Sequence, residues 1–257
     1  MRSHEIDYRI VGDDIQFVVL GLDKNETVVA EAGSFMMADE GIVMETIFGD
    51  GSDQEKGFGS KLLSAGKRLI TGESLFMTTF TNESNDFNKV AFAAPYPGKI
   101  LALDLSEYDE KIICQKDSFL CAAKGVTVGV ELTKKIRAGF FAGDGFILQK
   151  LTGDGMAFVH AGGAVIKREL KPGEVLKIDT GCLVAMTQDV EYSIEMVKGI
   201  KSMAFSGNGI FNTTLTGPGT VWIQSMPFSR LAGRIYAAAP QSSSSNGDGG
   251  ILNELFD

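Results

Sequence analysis

Short apolar runs alternate with glycine-centred breaks along most of this chain. Thr220-Val221-Trp222-Ile223-Gln224 and Met156-Ala157-Phe158-Val159-His160 are rich in β-branched or aromatic residues, and each follows a Gly-x-Gly segment, so both read as strands. In Gly217-Pro218-Gly219 the proline presets φ and the next glycine can take φ > 0, which predicts a type II turn; Lys171-Pro172-Gly173-Glu174 reads the same way. Strands that recur at roughly 8 to 12 residue spacing with such turns predict an all-β sandwich or barrel.

The pattern repeats. Phe141-Ala142-Gly143-Asp144-Gly145 leads to Leu151-Thr152-Gly153 with the spacing by which Phe205-Ser206-Gly207-Asn208-Gly209 leads to Leu215-Thr216-Gly217, and a shorter relative ends at Leu69-Ile70-Thr71-Gly72. Gly72, Gly153 and Gly217 are therefore taken as equivalent. A second half-unit places residues 22–38 over 170–186 without gaps, pairing Glu26 with Glu174, Gly33 with Gly181 and Phe35 with Leu183; Glu110 opens a more diverged middle copy. This alignment gives the first copy about 16 extra residues, near Thr81 to Pro97. The predicted fold is all-β: three tandem β-sandwich-like repeats (about 6–101, 102–166 and 167–235) around a pseudo-threefold axis, within one domain spanning 1–235.

Two segments leave the pattern. Residues 58–69 set Lys61, Lys67 and Arg68 beside Leu62, Leu63 and Ala65, which reads either as a solvated connection or as a contact for a membrane surface or partner. Residues 236–257 form a tail whose Ser/Gly-rich part cannot bury enough surface to order itself. Its last residues place Ile251, Leu252, Leu255 and Phe256 at helical spacing, a peptide that either docks in a groove or stays disordered.

Composition narrows the chemistry. Apolar residues make up 44% and charged ones 22%, the balance of a packed globule. The net charge of −9 disfavours nonspecific phosphate binding, so no DNA partner and no RNA partner is expected. The N-terminus shows no apolar signal region, and nowhere do about 18 apolar residues run together, so a cytoplasmic location is expected. Cys114, Cys121 and Cys182 stand among apolar neighbours and read as buried reduced thiols.

With two histidines and no Cys-x-x-Cys, the chain offers no metal site and no cofactor site. No Gly-x-Ser-x-Gly elbow accompanies His160, and neither a Walker lysine nor a helix follows the Gly-Asp-Gly and Gly-Asn-Gly segments, so no catalytic residues are assigned. One constellation stands out. Thr79, His160 and Gln224 each lie seven residues after Gly72, Gly153 and Gly217. If they face the pseudo-threefold axis they form a polar ring for water, an anion or a small ligand; if they face outward they are ordinary strand residues.

Val29-Ala30-Glu31-Ala32-Gly33-Ser34-Phe35, Leu69-Ile70-Thr71-Gly72-Glu73-Ser74-Leu75-Phe76 and Leu215-Thr216-Gly217-Pro218-Gly219-Thr220-Val221-Trp222 resemble the bacterial relatives of the yeast Altered Inheritance of Mitochondria protein twenty-four. The resemblance covers about residues 5 to 235 and implies a fold like that of the trp RNA-binding attenuation protein. It implies no catalytic residues, and a fold analogy does not carry RNA binding with it. The sequence thus predicts a non-enzymatic scaffold or binding protein that self-associates, with a trimer as the expected size, because sheet edges need cover. The alternatives are a small-molecule or nucleotide binder with a pocket between repeats, and a peripheral membrane protein.

Overall fold

Among the described residues nearly every apolar run forms a strand, because β-branched and aromatic side chains suit a pleated, half-buried surface. A computed structural model describes residues 3–48, 76–131, 147–196 and 211–239. The chain begins with β1 (Asp7–Val11), β2 (Phe17–Leu22), β3 (Thr27–Glu31), β4 (Phe35–Ala38), β5 (Ile42–Phe48), β6 (Phe76–Asn82) and β7 (Asn88–Ala93). It continues with β8 (Gly98–Asp104), β9 (Lys111–Gln115), β10 (Phe119–Ala123), β11 (Thr127–Val130), β12 (Leu148–Thr152) and β13 (Met156–Gly162). Last come β14 (Val165–Leu170), β15 (Val175–Asp179), β16 (Leu183–Thr187), β17 (Glu191–Met196), β18 (Phe211–Thr216), β19 (Gly219–Gln224) and a helix, α1 (Phe228–Ala238).

The described strands build four sheets. The first runs β1-β2-β7-β4, the second β5-β6-β3-β10-β13-β8, the third β11-β12-β9-β16-β19-β14 and the fourth β15-β18-β17. Neighbouring sheets share apolar clusters. Val18, Leu20 and Phe92 of the first meet Val28, Phe80 and Phe158 of the second. Val29, Ala157 and Val159 of the second meet Ile112, Cys114, Leu151 and Trp222 of the third. Ile113, Leu183, Met186 and Val221 of the third meet Leu215 of the fourth. Both faces of the two middle sheets are thus covered, and each fully buried Phe or Leu there contributes roughly 1.5 to 3 kcal/mol.

Three details recur along the chain. The pairings β4 with β7, β10 with β13 and β16 with β19 each carry a register shift, between Phe35 and Met37, Phe119 and Cys121, and Leu183 and Ala185. The Glu26 and Glu174 carboxylates each accept from the N–H three residues back, Asp23 at 2.7 Å and Lys171 at 3.0 Å. The carbonyls of Glu26, Glu110 and Glu174 accept from the N–H groups of Asn82, Gly153 and Gly217, at 3.0, 3.1 and 3.0 Å.

By that contact Asn82, on β6, stands where Gly153 and Gly217 stand; Gly72, which the sequence alignment matched to them, lies outside the described residues. Asn82 can do so because its side chain closes the following turn, accepting from Ser84 N at 3.1 Å and donating to Asp86 O at 2.8 Å.

The Lys171–Glu174 turn forms as predicted, with Gly173 at φ +75° and Glu174 N donating to Lys171 O at 2.9 Å. Gly219 takes φ +141°, well away from the roughly +80° of a type II turn, so the Gly217–Gly219 segment is not the type II turn expected, although that φ still requires glycine. The helix was not anticipated. α1 follows Pro227, whose carbonyl accepts from Arg230 N, and it runs to Ala238, into residues 236–238 where the tail was expected.

Candidate functional site

The three residues of the expected polar ring occupy different settings. Thr79 lies on β6 between β5 and β3, opposite Val29 and Glu45, and its hydroxyl donates to Glu45 O at 3.2 Å. His160 lies on β13 between β10 and β8, and Gln224 on β19 between β16 and β14. His160 and Gln224 therefore hold corresponding places, one residue past Val159 and Ile223 of the shifted pairs. In the first sheet that place falls to Ala93, one past Phe92, and Thr79 sits elsewhere.

Gln224 is 3% exposed and fully engaged: Gly162 N donates to its Oε1 at 2.7 Å, and its Nε2 donates to Gly181 O at 2.8 Å. It ties the end of β13 to the 3₁₀ turn Thr180–Cys182 that precedes β16.

His160 is 1% exposed, and neither ring nitrogen makes a well-formed hydrogen bond. The register that puts Gly162 beside Gln224 puts Pro97 in the same relation to His160, because Gln224 faces Val165 and His160 faces Ile100. A proline has no N–H to offer. The imidazole instead meets Tyr96 edge-on, ring centroids 4.4 Å apart, and Tyr96 in turn packs against Phe228 of α1 at 5.3 Å. Burial pushes His160 down to about 4, with the Tyr96 main chain holding back part of the shift. Gly98 makes room for the ring, since a Cβ there would lie 2.6 Å from His160 Nε2 and would collide with the Ala161 carbonyl.

A second polar group, which the sequence reading missed, sits at the end of β3. Glu31 is pushed up to about 7, first by burial and then by the Asp117 carboxylate, with Lys116 opposing. Tyr96 is pushed up to about 12 by burial and by the same Asp117. Cys114 and Cys121 are buried and free, and burial raises both thiols, so neither supplies a nucleophile. Cys182 departs from the expectation of a buried thiol: it is only partly buried, with Arg230 Nη2 at 3.8 Å from its sulfur. Among the described residues no three His, Cys, Asp or Glu side chains converge as metal ligands, and no helix is long and apolar enough to cross a membrane. Lys61, Lys67, Arg68 and the Ile251, Leu252, Leu255 and Phe256 peptide lie outside the described residues.

Among the described residues apolar side chains are exposed at several sheet edges, β4 and β15 included. β4 ends the first sheet, and all four of its residues are exposed: Phe35 42%, Met36 47%, Met37 50%, and Ala38 beside them. β15 begins the fourth sheet with Val175 55% exposed. By contrast β10 and β16, which carry the same register shift as β4, are buried at every residue.

These features describe a layered, antiparallel β protein in which, among the described strands, β4 and β15 each pair with a neighbour on one side only. The chain belongs to the family described as Mitochondrial biogenesis AIM24, whose model matches residues 8–226. It is 28% identical over 228 residues to an uncharacterised protein of Streptococcus pyogenes serotype M6, covering 88% of each chain. Its fold is similar to the X-ray crystal structure of a structural-genomics target from Streptococcus pyogenes, with a TM-score of 0.70 and 24% identity over 91% of this chain and 100% of the other.

Proposed function

We propose that this protein is a non-enzymatic scaffold that associates with copies of itself, as a trimer, and that it is built from three tandem β-sandwich units on a fold like that of the trp RNA-binding attenuation protein. The units are residues 17–93, 98–162 and 165–224, each contributing six strands, with β1 added to the first. The three register shifts and the matched Glu26, Glu110 and Glu174 carbonyl contacts support this division.

The units join through shared sheets. β3 of the first pairs with β10 of the second, and β9 of the second pairs with β16 of the third. The third joint of a closed pseudo-threefold set, β15 with β4, is not made within the chain. One observation carries the self-association reading: the exposed Phe-Met-Met-Ala strand β4 has neither the charge nor the proline that normally guards a free edge.

The test is light scattering coupled to size exclusion on the full chain at two protein concentrations. A defined species near three times 27.5 kDa is expected. A monomer at both concentrations would overturn the reading.

A further inference from the structure

The two open edges are complementary to each other, and the two joints already made inside the chain give their register. Where β3 meets β10, Ala30 faces Cys121, Val29 faces Ala122 and Val28 faces Ala123. Where β9 meets β16, Cys114 faces Ala185, Ile113 faces Met186 and Ile112 faces Thr187. Moving the first joint to the open ends takes Cys121 back 84 residues to Met37 and Ala30 forward 148 to Ile178. Moving the second takes Ala185 back 148 to Met37 and Cys114 forward 64 to Ile178. Two independent templates land on the same pair.

We infer that β4 of one copy pairs antiparallel with β15 of the next, with Met37 opposite Ile178, Ala38 opposite Lys177 and Asp39 opposite Leu176. This rests on the self-association reading and specifies its partner surface. The joint completes what each end lacks. It would fuse the fourth sheet to the first in the order β17-β18-β15-β4-β7-β2-β1, which matches the two six-stranded middle sheets apart from the added β1.

Burial argues the same way. At the made joints β10 and β16 are wholly buried, and three of the five residues of β9 and four of β3 are buried, whereas β4 has no buried residue and β15 has none. The β4 sequence Phe-Met-Met-Ala resembles its buried counterparts Phe-Leu-Cys-Ala-Ala and Leu-Val-Ala-Met-Thr in apolar content, so it is an interior strand without its neighbour. Because the two edges differ, the contact is head-to-tail: each copy presents β15 to one neighbour and β4 to the other, and the assembly closes only as a ring.

The experiment uses co-expressed full-length chains with the partly exposed Cys182 replaced by Ser. One chain carries Ala38→Cys and the other Lys177→Cys, both at positions exposed in the single copy. Directly opposed antiparallel residues have the Cα spacing a disulfide needs. Mild oxidation is expected to give a covalent dimer only when both chains are present, with loss of that product when Lys177→Cys is replaced by Asp179→Cys, two residues out of register. A defined oligomer by light scattering without the cross-link would overturn the joint and leave self-association standing. A monomer with no cross-link would overturn both. In a single chain carrying both cysteines, a bond formed only within that chain would mean that β15 closes on its own β4, which also overturns the inter-copy joint.

Discussion

Two buried titratable groups pull the pH dependence of stability in opposite directions, and separating them tests the reading of the core. His160 is held at about 4 instead of 6.5. Between those values the unfolded chain binds the proton and the folded one does not, so this contribution is complete above pH 6.5 and is lost as pH falls through 4. The full shift corresponds to about 3 kcal/mol, of which about 2 kcal/mol is already lost at pH 5. Glu31 is held at about 7 instead of 4.5. Here the folded state keeps the proton longer, so its contribution is complete below pH 4.5 and is lost as pH rises through 7; its partial exposure limits it to about 2 kcal/mol. Between pH 4.5 and 6.5 the two slopes oppose. The assay is urea unfolding followed by the fluorescence of Trp222, the single tryptophan, which is 3% exposed. Wild type, Glu31→Gln, His160→Gln and the double variant are compared at pH 5, 6 and 7.5, at one protein concentration because association also stabilises. Glu31→Gln should become more stable by about 2 kcal/mol relative to wild type on going from pH 5 to 7.5. His160→Gln should move the other way by a similar amount, and all other carboxylates cancel in the comparison. Four profiles that stay parallel across this range would refute the assignment of both groups.

Other outcomes follow from single contacts. Gly98→Ala should destabilise by about 2 to 4 kcal/mol in the same urea assay, because its Cβ meets the Ala161 carbonyl, which cannot move without disturbing the β8 and β13 pairing. Gln224→Ala should cost about 2 to 4 kcal/mol by leaving Gly162 N and Gly181 O without their partner; an effect below 1 kcal/mol would mean that water replaces the side chain. A maleimide should label Cys182 in the native protein and reach Cys114 and Cys121 only after denaturation, as mass spectrometry of the labelled peptides will show.

The strands were legible in the sequence because their signals are local. Glu26 and Glu174 were matched from spacing alone, and in the fold both carboxylates close the same kind of turn. The phase of the first copy was not legible. Gly72 and Gly153 look alike, but Asn82 does the work of Gly153 through its side-chain amide, and a different residue type doing the same work leaves no pattern to match. By strand register His160 and Gln224 correspond to Ala93 and not to Thr79, which the sequence alignment places with them. Glu31 was missed for another reason. A lone Glu at a strand end is ordinary, and only the packing of the Lys116–Ser118 turn against it creates its environment. The exposure of β4 was also invisible, since its residues are those of an interior strand.

The two ends of the proposed joint are not equally apolar, and under that proposal this bears on how tightly copies would hold one another. Val29 and Ile113 occupy the middle position of the made joints, whereas Lys177 occupies it at the open one. Inside a chain the joint is formed once, on folding, and an apolar pair there costs nothing in solubility. On a free end the same pair would expose a second uncharged strand to every other chain in solution, and pairing between wrong edges would follow. A lysine protects that edge before assembly. Its stem can still lie along the neighbouring strand while the ammonium reaches water, so the pairing survives with less apolar burial than the inner joints have. The β4 strand carries no charge of its own, so in the proposed joint the guard against wrong pairing before assembly rests on Lys177 of β15.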